Sequence, residues 1–196
     1  MSDGEAAPFP LVGIFVGGES RRMGRPKGLL PAPGKTNVNL IGRLRLEVET
    51  ALPGAPCVLV GERPEYGSID LPVVTDEVVG KGPLGGITGL LSECVSRGVH
   101  TALVLACDLP YLNAALIRRL ALEPCDQAVC PVVDERFQPL FALYHVRFLD
   151  KMRRALLRGD LALQPLLREA STRVLSLSND EASLLRDWDT PEDITN

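Results

Sequence analysis

The chain has 196 residues, 45% of them hydrophobic but only 5% aromatic, with a formal net charge of −4. That length suits one domain over 1–196 with a core of Leu, Val and Ala, and the mild acidity argues against broad attachment to nucleic acid or membrane. Five cysteines, an odd number without CxxC spacing, argue against both a disulfide framework and a zinc site.

The first ten residues, MSDGEAAPFP, lack the basic start and apolar stretch of a signal peptide and read as a flexible leader. Leu11 to Val16 is short, apolar and stopped by Gly17-Gly18, which predicts a buried strand. Leu40 to Leu52 carries apolar residues at helical spacing. Cys57 to Val60 reads as a second buried strand and Leu71 to Val74 as a third. Leu84 to Val95 is an apolar helix with glycines in its first half, set close against something. Thr101 to Ala106 is another central strand, ending at Cys107-Asp108. Ala114 to Leu122 reads as a helix. Ala128 to Val133 and Pro139 to Tyr144 read as strands, and Val146 to Leu157 and Leu161 to Glu169 as helices. Arg173 to Leu177 is a late strand before a polar tail.

Strands alternate with helices and the central strands are apolar throughout, which predicts a three-layer, Rossmann-like α/β domain with a mostly parallel, mixed sheet. No apolar run reaches the length of a membrane span. The cysteines read as buried free thiols in a reducing cytoplasm. In such sheets ligands bind beyond the carboxyl ends of the strands. Two of those ends carry chemistry: the glycine loop after the first strand, and Asp108.

The loop GGESRRMGRPKGLL, Gly17 to Leu30, combines a sharp turn with local positive charge. Gly17 and Gly18 allow close backbone approach, and their N–H groups can cradle phosphate oxygens. Arg21, Arg22 and Lys27 add charge where a polyphosphate would lie. The loop matches neither the Walker pattern nor GxGxxG, so it is not a P-loop or a dinucleotide fingerprint. Asp108 could be a turn cap or a metal ligand, and Asp76 a plain turn residue. The residues Gly82-Pro83-Leu84-Gly85-Gly86 could seat a helix tightly, shape a pocket, or both. His100 and His145 look isolated, and no serine sits in a nucleophile-elbow motif. Arg118-Arg119 and Arg153-Arg154 read as solvated helix faces, and Trp188 as a packing residue.

GGESRRMGRPKGLL resembles the signature of the molybdenum-cofactor guanylyltransferases, a branch of the nucleotide-diphospho-sugar transferase superfamily. The pattern there is roughly LAGGxSxRMGxDKxLL. VVTDEVVGKGPLGGITGL resembles the family's aspartate followed by GPLxGI, which maps a nucleotide-binding aspartate onto Asp76. LVLACDLPYL resembles the metal-binding PCDxPxL, with Asp108 as the ligand. RFQPLFALYH and RDWDTPEDI resemble the late strand QPLFALY and the closing NxNTPEDL.

The resemblance implies the fold of that superfamily and transfer of GMP from GTP to the phosphate of molybdopterin, with release of pyrophosphate. It implies Mg²⁺ on Asp108, with catalytic roles for Arg22, Lys27 and Asp108. Nucleotide contacts fall on Phe15, Val16, Gly17, Gly18, Lys27, Gly61, Asp76, Gly82, Pro83 and Leu84. As partners it implies molybdenum-insertion proteins and apo-molybdoenzymes beside the two small substrates. Four positions depart from the pattern: Pro26 replaces an aspartate, Gly61 an asparagine, and Asp187 and Asp189 two asparagines, where carboxylates could help hold the metal with Asp108 or simply add negative charge near it. A CTP-dependent cytidylyltransferase, a sugar-phosphate nucleotidyltransferase and a non-catalytic nucleotide- or pterin-binding homologue remain open alternatives.

Overall fold

A computed structural model of the chain describes residues 9–16, 26–34, 37–62 and 64–188. Gly17, Gly18, Arg21, Arg22 and Asp189 lie outside the described residues, as does most of the leader.

Five apolar strands build the centre: β1 (Leu11–Phe15), β2 (Cys57–Val60), β4 (Thr101–Ala106), β5 (Ala128–Val133) and β7 (Phe141–His145). Three short strands join them: β3 (Val73–Val74), β6 (Arg136–Phe137) and β8 (Arg173–Leu175). Among the described residues they form one eight-stranded sheet in the order β3-β2-β1-β4-β7-β5-β6, with β8 paired to β5. The run from β3 to β4 is parallel. β7 enters antiparallel between β4 and β5, so the sheet is mixed, as its sequence suggests.

Helices cover both faces because every central strand is apolar on both sides. In β1, Leu11 and Phe15 belong to one core cluster and Val12 and Ile14 to the other, the alternation a pleated strand imposes. α2 (Gly82–Ser96), α4 (Leu149–Arg158) and α5 (Leu163–Glu169) bury Leu84, Ile87, Met152 and Leu167 on the first face. α1 (Leu40–Ala51) and α3 (Ala114–Ala121) bury Leu44, Val48, Ile117 and Leu120 on the second. Asn39 and Asn113 cap these two helices, accepting from Gly42 N at 2.8 Å and Leu116 N at 3.0 Å.

Several elements differ from their sequence-based bounds for identifiable reasons. The strand expected at Pro139 starts at Phe141, because Phe141 N first donates to the Gln138 carbonyl and closes a turn. The third strand shrinks to Val73–Val74, since Pro72 has no N–H to give a ladder. The helix expected from Val146 begins with a 3₁₀ turn, Val146–Phe148. The polar tail contains a short helix, α6 (Asn179–Ser183), closed by a capping box between Ser178 and Glu181. Its start is set by polar hydrogen bonds, so apolar periodicity could not reveal it.

The two histidines are not isolated. His100 and His145 stack at 6.1 Å, brought together where β4 and β7 pair at Thr101 and His145. Burial, Arg147 and His100 hold the His145 imidazole below its ordinary value. Nor are three of the four paired arginines simply solvated, although Arg154 is exposed. Arg119 bonds Glu181 and the Ser176 carbonyl, Arg118 bonds the Ala51 carbonyl, and Arg153 grips Glu77. The five cysteines are free thiols, three of them buried. Burial pushes the Cys94 and Cys130 thiols up to about 12, which keeps them protonated core fillers.

No helix among the described residues is long and apolar enough to cross a membrane.

Candidate active site

Register aligns the carboxyl ends of four parallel strands. Phe15 pairs with Val60 on one side and Ala106 on the other, and Val60 pairs with Val74. Hydrogen bonds continue one step past the strands: Val16 N to Val60 O, Gly61 N to Val74 O and Cys107 N to Phe15 O. The next residues, Gly61, Asp76 and Asp108, therefore emerge along one edge of the sheet. β1 is where the strand order turns back, with β2 to one side and β4 to the other, the position at which open α/β sheets bind ligands.

Two cavities open along this edge. The larger, about 840 Å³, is lined by Phe15, Gly61, Asp76, Gly82, Pro83 and Gly86, among others. The smaller, about 520 Å³, is lined by Asp108, Asp134, Gln138, Arg186 and Asp187, among others. Leu140, at the start of β7, lines both, so the cavities are neighbours.

Lys27 and Asp108 meet here. Lys27 Nζ donates to Asp108 Oδ2 at 3.0 Å, with side chains 16% and 22% exposed. Lys27 is thus part-buried rather than surface-solvated. It opens a 3₁₀ turn, Lys27–Leu29, which is anchored by Gly28 N donating to the buried Tyr66 hydroxyl at 3.2 Å. Asp108 is held from behind, because Trp188 N donates to its carbonyl at 3.1 Å. Trp188 is buried among Leu30, Ala32 and Leu40 and meets Tyr111 edge-on at 6.4 Å, so it packs, as its sequence context suggests. One residue therefore buttresses both, its side chain packed behind Leu30 at the end of the Lys27 turn and its backbone N–H on the Asp108 carbonyl.

The glycines of α2 explain the shape of the larger cavity. A Cβ on Gly85 would sit 2.7 Å from the Val78 carbonyl oxygen, and one on Gly89 would strike the Thr75 carbonyl oxygen. Their absence lets α2 lie directly against the backbone of residues 75–78, which carries Asp76 to the cavity wall. Tight seating and pocket shaping are the same feature. Gly61 sits at φ +100°, so its backbone, without a side chain, forms the wall where the family pattern has asparagine.

Most of the sequence-derived site residues that are described converge on this edge: Phe15, Gly61, Asp76, Gly82 and Pro83 on the larger cavity, Asp108 on the smaller, and Lys27 on Asp108. Val16 and Leu84 instead lie in the core, 4% and 0% exposed, and are not among the lining residues. Asp187 joins Asp108 at the smaller cavity. Asp134 and Gln138 were not singled out in the sequence. A signal existed for the first: Asp134-Glu135 separates two strands as a two-residue hairpin loop, and both residues have positive φ, of 48° and 61°.

Among the described residues this is an electrostatic site, with no activated nucleophile beside Asp108. The Cys107 thiol, next to Asp108, is pushed up to about 12 by burial first and by the Asp108 charge second, so it stays protonated. These residues supply Lys27 and Arg186 as cations, the carboxylates of Asp76, Asp108, Asp134 and Asp187, and two cavities, equipment for orienting anionic substrates and stabilising transferred charge.

Comparison with known proteins bears on the family and the fold. Residues 12–174 match the family model of the MobA-like NTP transferase domain. The chain is 33% identical over 187 residues to a probable molybdenum cofactor guanylyltransferase of Opitutus terrae, covering 92% of this chain and 90% of that one. It is 36% identical over 160 residues to a protein of the same description from Mycobacterium tuberculosis, covering 76% and 75%. In fold it resembles the molybdopterin-guanine dinucleotide biosynthesis protein A of Archaeoglobus fulgidus, with a TM-score of 0.73, 24% identity and coverage of 94% and 95%. The chain belongs to the MobA-like NTP transferase family and is a nucleotidyltransferase.

Proposed function

We propose that this protein acts in molybdenum cofactor synthesis, transferring GMP from GTP to the phosphate of molybdopterin and releasing pyrophosphate. The observation that carries the reading is the Lys27–Asp108 pair at the strand ends beside two adjoining cavities, one for each substrate. The larger cavity takes the nucleoside: Gly82, Pro83 and Gly86 offer a flat wall, and Asp76 an acceptor for the N–H edge of guanine. The smaller takes the pterin, whose ring N–H groups suit Asp134 and Gln138. The relatives described as guanylyltransferases support GTP as the donor.

An oxygen of the molybdopterin phosphate attacks the α-phosphorus, and the bond from that phosphorus to the oxygen bridging the α- and β-phosphates breaks. The attacking oxygen is already anionic at neutral pH, so no strong base is required. The barrier is repulsion between anions and charge building on pyrophosphate, which positive groups lower. Lys27 supplies one such charge, with Gly17, Gly18 and Arg22 proposed to complete the phosphate cradle.

Mg²⁺ fits the donor set. Asp108 and Asp187 both line the smaller cavity, two hard oxygen donors. That matches an ion held by one or two carboxylates while phosphates and water fill its other positions. When bound, Mg²⁺ would neutralise phosphate charge that Lys27 alone leaves uncompensated. A cytoplasmic setting, with molybdenum-insertion proteins and apo-molybdoenzymes as partners, belongs to the same proposal.

Pro26 beside Lys27 favours one second reading, the CTP-dependent enzyme. Incubation with molybdopterin, Mg²⁺ and α-phosphate-labelled GTP tests the proposal. Label should appear in a dinucleotide carrying both guanine and pterin. Label that stays in GTP while CTP yields the corresponding product would transfer the protein to the cytidylyl branch.

A further inference from the structure

The wall that carries Asp76 is secured from outside the cavity. Its next residue, Glu77, forms a two-point ion pair with Arg153 of α4: Nε donates to Oε1 at 2.7 Å and Nη2 to Oε2 at 3.1 Å. The Ser92 hydroxyl of α2 accepts from Arg153 Nη2 at 3.0 Å and lies 2.7 Å from Glu77 Oε2. The segment before α2, α2 itself and the sequence-distant α4 thus meet on one carboxylate. Glu77 N also donates to the Gly85 carbonyl at 3.1 Å, which fixes the backbone between Asp76 and Val78.

The rest of that segment has little to hold it. Val78 and Val79 are 40% and 86% exposed, and Gly80 and Gly82 sit at φ +76° and +60°. Val79, Gly80 and Gly82 line the larger cavity together with Asp76. None of Arg153, Ser92 and Glu77 is among its lining residues. Burial pushes the Glu77 carboxyl up, but the Arg153 and Ser92 hydrogen bonds outweigh it and hold the group below the ordinary carboxylate range. Glu77 is therefore a carboxylate across the neutral range, and the pair is permanently charged.

We infer that Arg153 is a positioning residue for the nucleotide: through Glu77 it clamps the 76–82 segment so that Asp76 is presented to the larger cavity. An isolated surface ion pair contributes little to stability, but a two-point arginine–carboxylate contact fixes orientation as well as distance. The clamp also ties the segment to α4, which follows β7, the strand whose entry residue Leu140 lines both cavities. The assignment presupposes that the larger cavity takes the nucleotide.

The test compares wild type with Arg153→Ala, Arg153→Lys, Glu77→Gln and the double variant Arg153→Ala/Glu77→Gln. GTP dissociation constants, steady-state pyrophosphate release and backbone amide exchange over 76–82 are measured for each. Arg153→Ala should raise both the GTP dissociation constant and KM about tenfold, with kcat within about a factor of two. Amide exchange over 76–82 should accelerate, while exchange in the central strands stays unchanged. Arg153→Lys should recover only part of the affinity, because an ammonium cannot span both carboxylate oxygens. The double variant should be no worse than either single one.

Wild-type affinity and exchange in Arg153→Ala would overturn the clamp, as would a fall in kcat at constant KM or additive losses in the double variant. A wild-type protein that neither binds GTP nor releases pyrophosphate from it would overturn the nucleotide reading instead. The exchange comparison would then still decide the clamp.

Discussion

Asp108→Asn should lower pyrophosphate release by about 10²- to 10³-fold, the usual cost of removing one charge-stabilising group from a transfer site. The substitution preserves shape. Asparagine can still accept from Lys27 Nζ, and the backbone carbonyl that receives Trp188 N is untouched. The fold should therefore survive with an unchanged circular dichroism spectrum and a melting temperature within a few degrees. What is lost is the negative charge proposed to hold a hard divalent cation. The Mg²⁺ concentration for half-maximal rate should rise together with the fall in kcat. Full activity at the wild-type Mg²⁺ concentration would remove Asp108 from the metal site.

Lys27→Ala should have effects of opposite sign on catalysis and on metal binding. In the free protein the ammonium lies 3.0 Å from Asp108 Oδ2 and neutralises it. A divalent cation approaching that carboxylate meets a positive charge that opposes it by a few kcal/mol even at an effective dielectric constant of about 20. Without Lys27, Asp108 becomes a better ligand in the absence of nucleotide. Mn²⁺, followed by the loss of its free-ion electron paramagnetic resonance signal, should bind about 10²-fold more tightly to Lys27→Ala than to wild type.

Turnover should nevertheless fall about 10²- to 10³-fold, because the triphosphate loses a fixed positive charge at the reacting end. Melting temperature controls for folding: the pair is part-buried, and truncating it should cost about 1–2 kcal/mol. Wild-type turnover in this variant would exclude Lys27 from the reaction, and unchanged Mn²⁺ affinity would show that the pair does not guard Asp108.

Much of the fold was legible because its centre is simple. β1, β2 and β4 are buried on both faces and ended by glycine or by a polar residue, so continuous apolar runs gave their bounds almost to the residue. The edges were harder. β3 and β6 are two residues each and carry no periodicity to detect. α6 rests on a capping box and a bond from Arg119 to Glu181, which are polar features of a segment without a buried residue.

The site divides in the same way. Individual residues stood out through motif and charge, but their convergence depends on strand register. Lys27 and Asp108 are 81 positions apart: β4 delivers Asp108 to the sheet edge, while the Lys27 turn is brought to it by separate anchors, Gly28 N on the Tyr66 hydroxyl among them. Leu84 shows the converse: it lies inside a quoted motif, yet one helical position moves it from the cavity wall into the core. The Arg153–Glu77 clamp spans 76 positions and uses two common surface residue types, so nothing in the local sequence distinguishes it.

The most direct test of the whole account is pyrophosphate release with molybdopterin and Mg²⁺, comparing GTP, CTP and ATP side by side. Release with GTP is expected, strongly preferred over the other two and dependent on both molybdopterin and the cation. Release from none of them despite measurable nucleotide binding would contradict it, and release without molybdopterin would contradict the acceptor role assigned to the smaller cavity.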